Sequence, residues 1–147
     1  MNSGKRLLTN AEWQAAALGT PDPGLSAAGS QDCNTNDGGG AGVDAVVDTG
    51  SRSNCFSDVR AFDMVGNLYE WVADWVPLST ICVTALFGTF DSNCLAGAST
   101  TFGPGALIRG GNFVFGGGSV GLAGVFAVDG GNRPSNANAV FGFRAGR

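Results

Sequence analysis

The sequence predicts an α+β domain, rich in loops, with short strands and few helices. Three observations carry this reading. One capping box marks a short helix near the start. One stretch of strict alternation marks a central strand. Glycine supplies 25 of the 147 residues with no repeat period, so turns must link the elements. The length suits one domain, 1–147, large enough for a real core.

The helix comes first. In Thr9-Asn10-Ala11-Glu12 the Thr9 hydroxyl can accept from the Glu12 amide while the Glu12 side chain reaches back to the Thr9 amide. Trp13, Ala16 and Ala17 follow as a short apolar stripe. Gly19 is a stop signal and Pro21 bars continuation, so the helix is predicted over residues 10–18. Glu12 reads as a cap rather than a ligand.

Residues 20–58 are dense in turn signals. Asp32, Asn34 and Asn36-Asp37 have the flavour of a calcium loop but lack its downstream glutamate. The segment is therefore expected to be an irregular surface loop, tied down by Cys33 and Cys55.

Asp63–Trp75 is the centre of the chain. Gly66-Asn67 forms a tight turn from residues that tolerate positive φ. Tyr69, Trp71, Ala73 and Trp75 then alternate with Glu70, Val72 and Asp74. This is strand periodicity, and it predicts the rings of Trp71 and Trp75 in the core. Asp63 and Glu70 are left to converge near the turn. Pro77 ends the strand, and residues 78–105 form a long excursion that Cys82 and Cys94 can close. Residues 106–111 predict a short strand. Its Arg109, set in an apolar run, needs a carboxylate or backbone carbonyls. Beyond it, Val125-Phe126-Ala127 and 141–144 are the remaining strand candidates.

Several function classes fall away. Histidine is absent, which removes Ser-His-Asp and Cys-His catalysis and every histidine metal site. A net charge of −4 offers no basic patch, so nucleic acid is not an expected partner. No run approaches the roughly 18 apolar residues of a membrane span, and no apolar signal segment follows Met1. Cys33, Cys55, Cys82 and Cys94 include no C-x-x-C pair. Sequential pairing, Cys33–Cys55 and Cys82–Cys94, would add ~3 kcal/mol per staple. Four free thiols in a reducing compartment are the alternative.

Four blocks in order carry a resemblance: G-K-R-L-L-T-N-A-E-W, D-M-V-G-N-L-Y-E-W-V-A-D-W, L-I-R-G-G-N-F and G-F-R-A-G-R. Together they resemble the formylglycine-generating-enzyme-like domain, a variant of the C-type lectin fold. More narrowly, R-G-G-N-F, A-G-V-F-A-V-D, P-S-N-A-N and the terminal G-F-R are similar to the variable proteins of diversity-generating retroelements. That likeness implies a non-catalytic ligand-binding protein, displaying a diversified surface for receptor recognition. Family members usually carry a strand-bearing segment before the first block, so this chain reads as a fragment or a minimal form of the domain.

The resemblance also implies what is missing. Enzymatic members use a cysteine pair just after R-G-G to bind copper, whereas no cysteine follows Cys94 here. The related sulfoxide-forming iron enzymes use histidines. Neither copper nor iron is expected, and the chain is not expected to be an enzyme. Calcium is the expected structural ion. Carried over residue by residue, its site falls on Asp63, Gly66, Leu68 and Glu70, a donor set of carboxylates and carbonyls that suits a hard cation. The alternative is that Glu70 pairs with an arginine such as Arg109 while Asp63 caps the turn.

The candidate variable region is 109–147. An AAC codon randomised at its adenines cannot yield Lys, Glu, Gln, Met or Trp. None of these occurs from Asn112 to Phe143, while ten precede Asn112. Ligand contacts are expected from Val114, Phe115, Ser119, Val120, Leu122, Asp129, Asn132, Asn136, Asn138 and Val140, with Phe115 as the apolar anchor. Arg109, Gly110, Gly111, Phe126, Pro134, Gly142, Phe143 and Arg144 are expected to hold the frame. The implied partner is a protein or glycan on a target surface, with no membrane insertion, and the implied location is a cell surface or phage virion. Two other readings stand beside this one: an adhesive phage-tail or cell-surface domain without diversification, and an enzyme of the formylglycine-generating superfamily.

Overall fold

In the computed structural model the described residues are 4–22, 32–35, 45–76, 82–83, 93–94, 104–114 and 123–147. The helix α1 spans Asn10–Ala17, and its capping box is complete. The Glu12 amide donates to Thr9 Oγ1 at 3.2 Å, and the Thr9 amide donates to Glu12 Oε2 at 2.9 Å. Arg6 then braces the same carboxylate from outside at 2.5 Å. Leu18 and Gly19, with φ +80 at the glycine, turn the chain, and the Thr20 amide closes back on the Ala17 carbonyl. One further anchor joins helix to sheet: the Asn10 amide donates to Asp74 Oδ2 at 2.6 Å, a carboxylate at the positive end of the helix.

Among the described residues, eight short strands accompany α1. They are β1 (Arg6–Leu7), β2 (Tyr69–Val76), β3 (Cys82–Val83), β4 (Asn93–Cys94), β5 (Gly105–Arg109), β6 (Val128–Asn132), β7 (Phe141–Phe143) and β8 (Ala145–Gly146). Six form one mixed sheet in the order β3-β4-β6-β5-β2-β7, while β1 and β8 pair separately. β5 lies in the middle of this sheet, between β6 and β2, and β2 is its longest strand. β2 and β5 run antiparallel, with Glu70 opposite Arg109 and Trp71 opposite Ile108, and the register shifts between Trp71 and Trp75. β7 lies parallel to β2 on its other side.

The buried face of β2 is the reverse of the expected one. Val72 and Val76 enter the core with Trp13, Ala17, Met64 and Leu107. Trp75 is 57% exposed, and Trp71 is only half-buried. The cause lies in α1. Trp13 is fully buried and fills the space between helix and sheet, so the strand face beneath it must carry small branched side chains. The rings of β2 cover the opposite face, where Trp71 stacks at a tilt on Phe141 with centroids 5.2 Å apart.

Other expectations shift in register or burial. The strand expected over 106–111 is β5, buried along its whole length, and the chain leaves it at Gly110 and Gly111, both at positive φ. Val125-Phe126-Ala127 is not a strand; β6 begins just beyond it, at Val128, and carries two glycines. One of them explains the choice: a Cβ on Gly130 would lie 2.5 Å from Val76 Cγ2. Phe126 and Phe143, expected to hold the frame, are 40% and 69% exposed.

The predicted Cys33–Cys55 disulfide is present. It lies in a second small core with Val65 and Ala123. The neighbouring Asn34 and Thr35 are fully buried, so this part of the supposed surface loop is interior. Asn36 and Asp37 lie outside the described residues. Cys82 and Cys94 are direct partners in the β3–β4 register.

Candidate functional site

The central turn is built as the sequence predicts. Gly66 has φ +73 and Asn67 φ +58, and Asp63 is left-handed too, at +56. Gly66 admits no side chain, because a Cβ there would meet the Asn34 carbonyl oxygen at 2.5 Å. Asn67 is the hub of the adjoining loop. Its Oδ1 accepts from Asn34 Nδ2 at 3.2 Å and from the Val47 amide at 3.0 Å. Its Nδ2 donates to the Val47 carbonyl at 3.1 Å.

Asp63 and Glu70 line one cleft of about 400 Å3 with Thr49, Asn67, Leu68 and the stretch Phe141 to Arg144. Arg144 enters against Glu70. Its Nε and Nη2 reach Glu70 Oε2 and Oε1 at 2.6 and 2.5 Å. Nη2 also faces the carbonyls of Phe62 at 2.9 Å and Asp63 at 3.4 Å. From the helix side, Trp13 Nε1 donates to Glu70 Oε2 at 2.6 Å. Asp63 Oδ2 accepts from the Gly50 amide at 2.8 Å. Its Oδ1 is buried and accepts from no described residue. Burial pushes the Asp63 carboxyl above its ordinary value, although the Gly50 amide and the Arg144 charge both pull it down.

The second cluster belongs to the C-terminal segment. Asp129 and Asn132 stand on β6, and Asn136 Nδ2 donates to Asn132 Oδ1 at 2.9 Å. Asp129 Oδ1 accepts from the Gly131 amide at 2.6 Å. Burial raises the Asp129 carboxyl, and hydrogen bonds from Gly131 and Asn132 oppose that shift. The β5–β6 register sets Asp129 beside Ile108, and the β2–β5 register sets Ile108 beside Trp71. Asp129 therefore shares the outer sheet face with the aromatic row. Burial also raises the Tyr69 phenol, and the Asp129 charge adds to the rise. Next to this row, Trp71, Trp75, Pro134, Phe143 and Leu7 help to line an apolar groove of about 510 Å3.

A family profile, the sulfatase-modifying factor enzyme 1-like domain, matches residues 1–147. The chain belongs to this family. Solved structures of the Major Tropism Determinant are similar to it. The P3c variant is 22% identical with a TM-score of 0.59, and the U1 variant is 24% identical with a TM-score of 0.59. Each likeness covers 97% of this chain and 33% of the other, so the chain spans about a third of their length. No curated protein matches significantly. The fold is α+β, of the C-type lectin type.

Within this sulfatase-modifying-factor-like domain, the structure sorts the expected ligand residues. Asp129, Asn132 and Asn136 come together. Val114, 44% exposed, stands on the separate turn after β5, where its amide is held by Asn112 Oδ1 at 2.8 Å. Asn138 caps its own turn by accepting from the Val140 amide at 3.3 Å. Phe115, Ser119, Val120 and Leu122 lie outside the described residues. Tyr69, Trp71 and Phe141 form the row of rings on the face that Asp129 shares. The alternation of β2 predicts such a row, but with Trp71 and Trp75 in the core, whereas the structure turns that face outward.

The expected calcium ligands also gather, since Asp63, Leu68 and Glu70 line one cleft and Gly66 adjoins them in the turn. Their arrangement does not fit a calcium ion. Both Glu70 oxygens are engaged by Arg144 and Trp13, so that carboxylate already faces N–H donors and a positive charge rather than an open cation position. Glu70 has its arginine partner, but from the C-terminus rather than from Arg109. Arg109 instead donates to the carbonyls of Val125 and Phe126 and lies over the Trp13 ring, 4.8 Å from its centroid.

Proposed function

We propose that this chain is a non-catalytic binding protein that displays a diversified surface on a fixed C-type lectin scaffold, as the variable proteins of diversity-generating retroelements do. The division within 109–147 carries the reading. Arg109, Gly110 and Gly111 are buried and fixed by the core, whereas Asp129, Asn132 and Asn136 are half-buried, Asn138 is exposed, and Asp129 shares the sheet face of the aromatic row. A rigid frame bearing polar side chains next to aromatic surface is what loop-borne recognition requires. The name of the similar Major Tropism Determinants is consistent with recognition of a target. The ligand would be a protein or glycan on a target surface. The Cys33–Cys55 disulfide suits an oxidising exterior.

The experiment is genomic. An adenine-rich near-copy of the 3′ end beside a reverse transcriptase gene is the expected finding. A locus with neither would leave an adhesive domain of fixed specificity.

A further inference from the structure

We infer that Arg144 is a built-in substitute for the structural cation of the central turn, so that this domain needs no divalent ion to hold the turn together. The guanidinium takes both carboxylate oxygens of Glu70, the ligand that closes the expected cation set, and adds the carbonyls of Phe62 and Asp63 in place of those of Gly66 and Leu68. Arg144 side-chain exposure is 23% and that of Glu70 is 10%, so the pair is largely sheltered from water. A fork of parallel N–H donors satisfies a carboxylate as no point charge does. A divalent ion placed here would have to displace that fork and stand against its positive charge.

The substitution has a topological consequence. Arg144 lies between β7 and β8, while its partners lie 74 to 82 positions earlier. The cation is thus delivered by the C-terminal segment, and the turn is complete only when that segment docks. The guanidinium leaves the Gly66 and Leu68 carbonyls and the Asp63 carboxylate of the expected set uncontacted, and Asp63 Oδ1 is buried and accepts from no described residue. Removal of Arg144 would expose a latent cage: two carboxylates and two carbonyls around a left-handed turn, the chemistry of a calcium site.

The full chain is to be melted in chelator and in millimolar calcium, and titrated with terbium(III) under tryptophan excitation. Trp13, whose indole nitrogen touches Glu70, is the built-in sensitiser. For the natural sequence the expected result is one melting temperature in both buffers and no saturable terbium emission. For Arg144→Gln the expected result is a lower melting temperature in chelator, partly restored by calcium, with saturable emission that Glu70→Gln abolishes. A calcium-dependent shift or saturable terbium binding in the natural protein overturns the inference. So does a folded Arg144→Gln that ignores calcium. Should Arg144→Gln fail to fold in either buffer, Arg144→Lys decides: it keeps the charge, and calcium sensitivity in that variant would sink the idea while insensitivity supports it.

Discussion

Asn67 and Val47 exchange two hydrogen bonds, the amide side chain imitating the edge of a strand. Oδ1 takes the Val47 amide and Nδ2 gives to the Val47 carbonyl. Asn67 does this at φ +58, a conformation that asparagine tolerates better than most residues. One side chain therefore ties Val47 to the central turn.

Asn67→Asp is the sharpest probe of that tie. The fold loses a donor and sets a carboxylate oxygen against the Val47 carbonyl in a site only 6% exposed. A loss of about 2 kcal/mol is expected, read as a lower denaturant midpoint with unchanged slope. An unchanged midpoint would mean the tie contributes nothing.

Gly66→Ala tests the approach of Cys33–Thr35 to the turn. The new methyl would meet backbone, the Asn34 carbonyl oxygen, rather than a movable side-chain tip. Strain at positive φ adds to the clash. Destabilisation above about 2 kcal/mol is expected in the same unfolding assay.

The helix cap offers a milder case. Thr9→Ala removes the acceptor for the Glu12 amide and should cost about 1 kcal/mol, while Thr9→Ser should stay near the natural value. Equal losses in both variants would point to the Thr9 methyl rather than its hydroxyl.

Two carboxyl groups should respond to pH in opposite senses. Hydrogen bonds from Arg6, then from Thr9, hold the Glu12 carboxyl down at about 2, against an ordinary value of 4.5. Its contribution is present above 4.5 and fades as pH falls towards about 2; Glu12→Gln should erase that part of the acid limb. Asp63 is raised, chiefly by burial. It favours the native state at pH below its ordinary 3.8, and that favour is lost as pH rises through the raised value. Asp63→Asn, which keeps an acceptor for the Gly50 amide and suits the left-handed backbone, should therefore leave stability at neutral pH equal or higher. Melting curves across pH 2 to 8 on both variants read the two slopes.

Reduction of Cys33–Cys55 should lower stability by ~3 kcal/mol, since the bridge closes a loop with a sequence separation of 22. Cys33→Ser with Cys55→Ser, melted beside the natural chain, supplies the comparison.

What could be read in the sequence is what neighbouring residues settle among themselves. Thr9 and Glu12 are three apart, so the cap declares the helix. Gly66-Asn67 declares the turn, and the alternation from Tyr69 declares β2. What could not be read depends on partners far along the chain. The buried face of β2 is chosen by Trp13, 57 positions before Glu70. The arginine that meets Glu70 comes from 74 positions beyond it. β6 contains Gly130 and Gly131, poor strand formers, and is a strand because β5 and β4 pair with it and Val76 fills the missing side chain. The burial of Asn34 was hidden for a similar reason, since its amide is satisfied by Ala45 and Asn67 rather than by water. For the candidate site, the polar members Asp129, Asn132 and Asn136 are legible by type, while the outward face of Trp71 and Trp75 is not, because it is set by the distant Trp13.

The pairing of β1 with β8 sets Arg6 directly opposite Gly146. Topologically the domain is close to a ring with one cut in it. A few flexible residues would bridge that cut, and new ends could be opened at an exposed turn such as the one around Ser53-Asn54 without breaking any strand. Dyes placed at Lys5 and Arg147, the residues flanking the clasp, would sit within transfer distance only while it is shut, which makes that pair a gauge of whether the domain is folded.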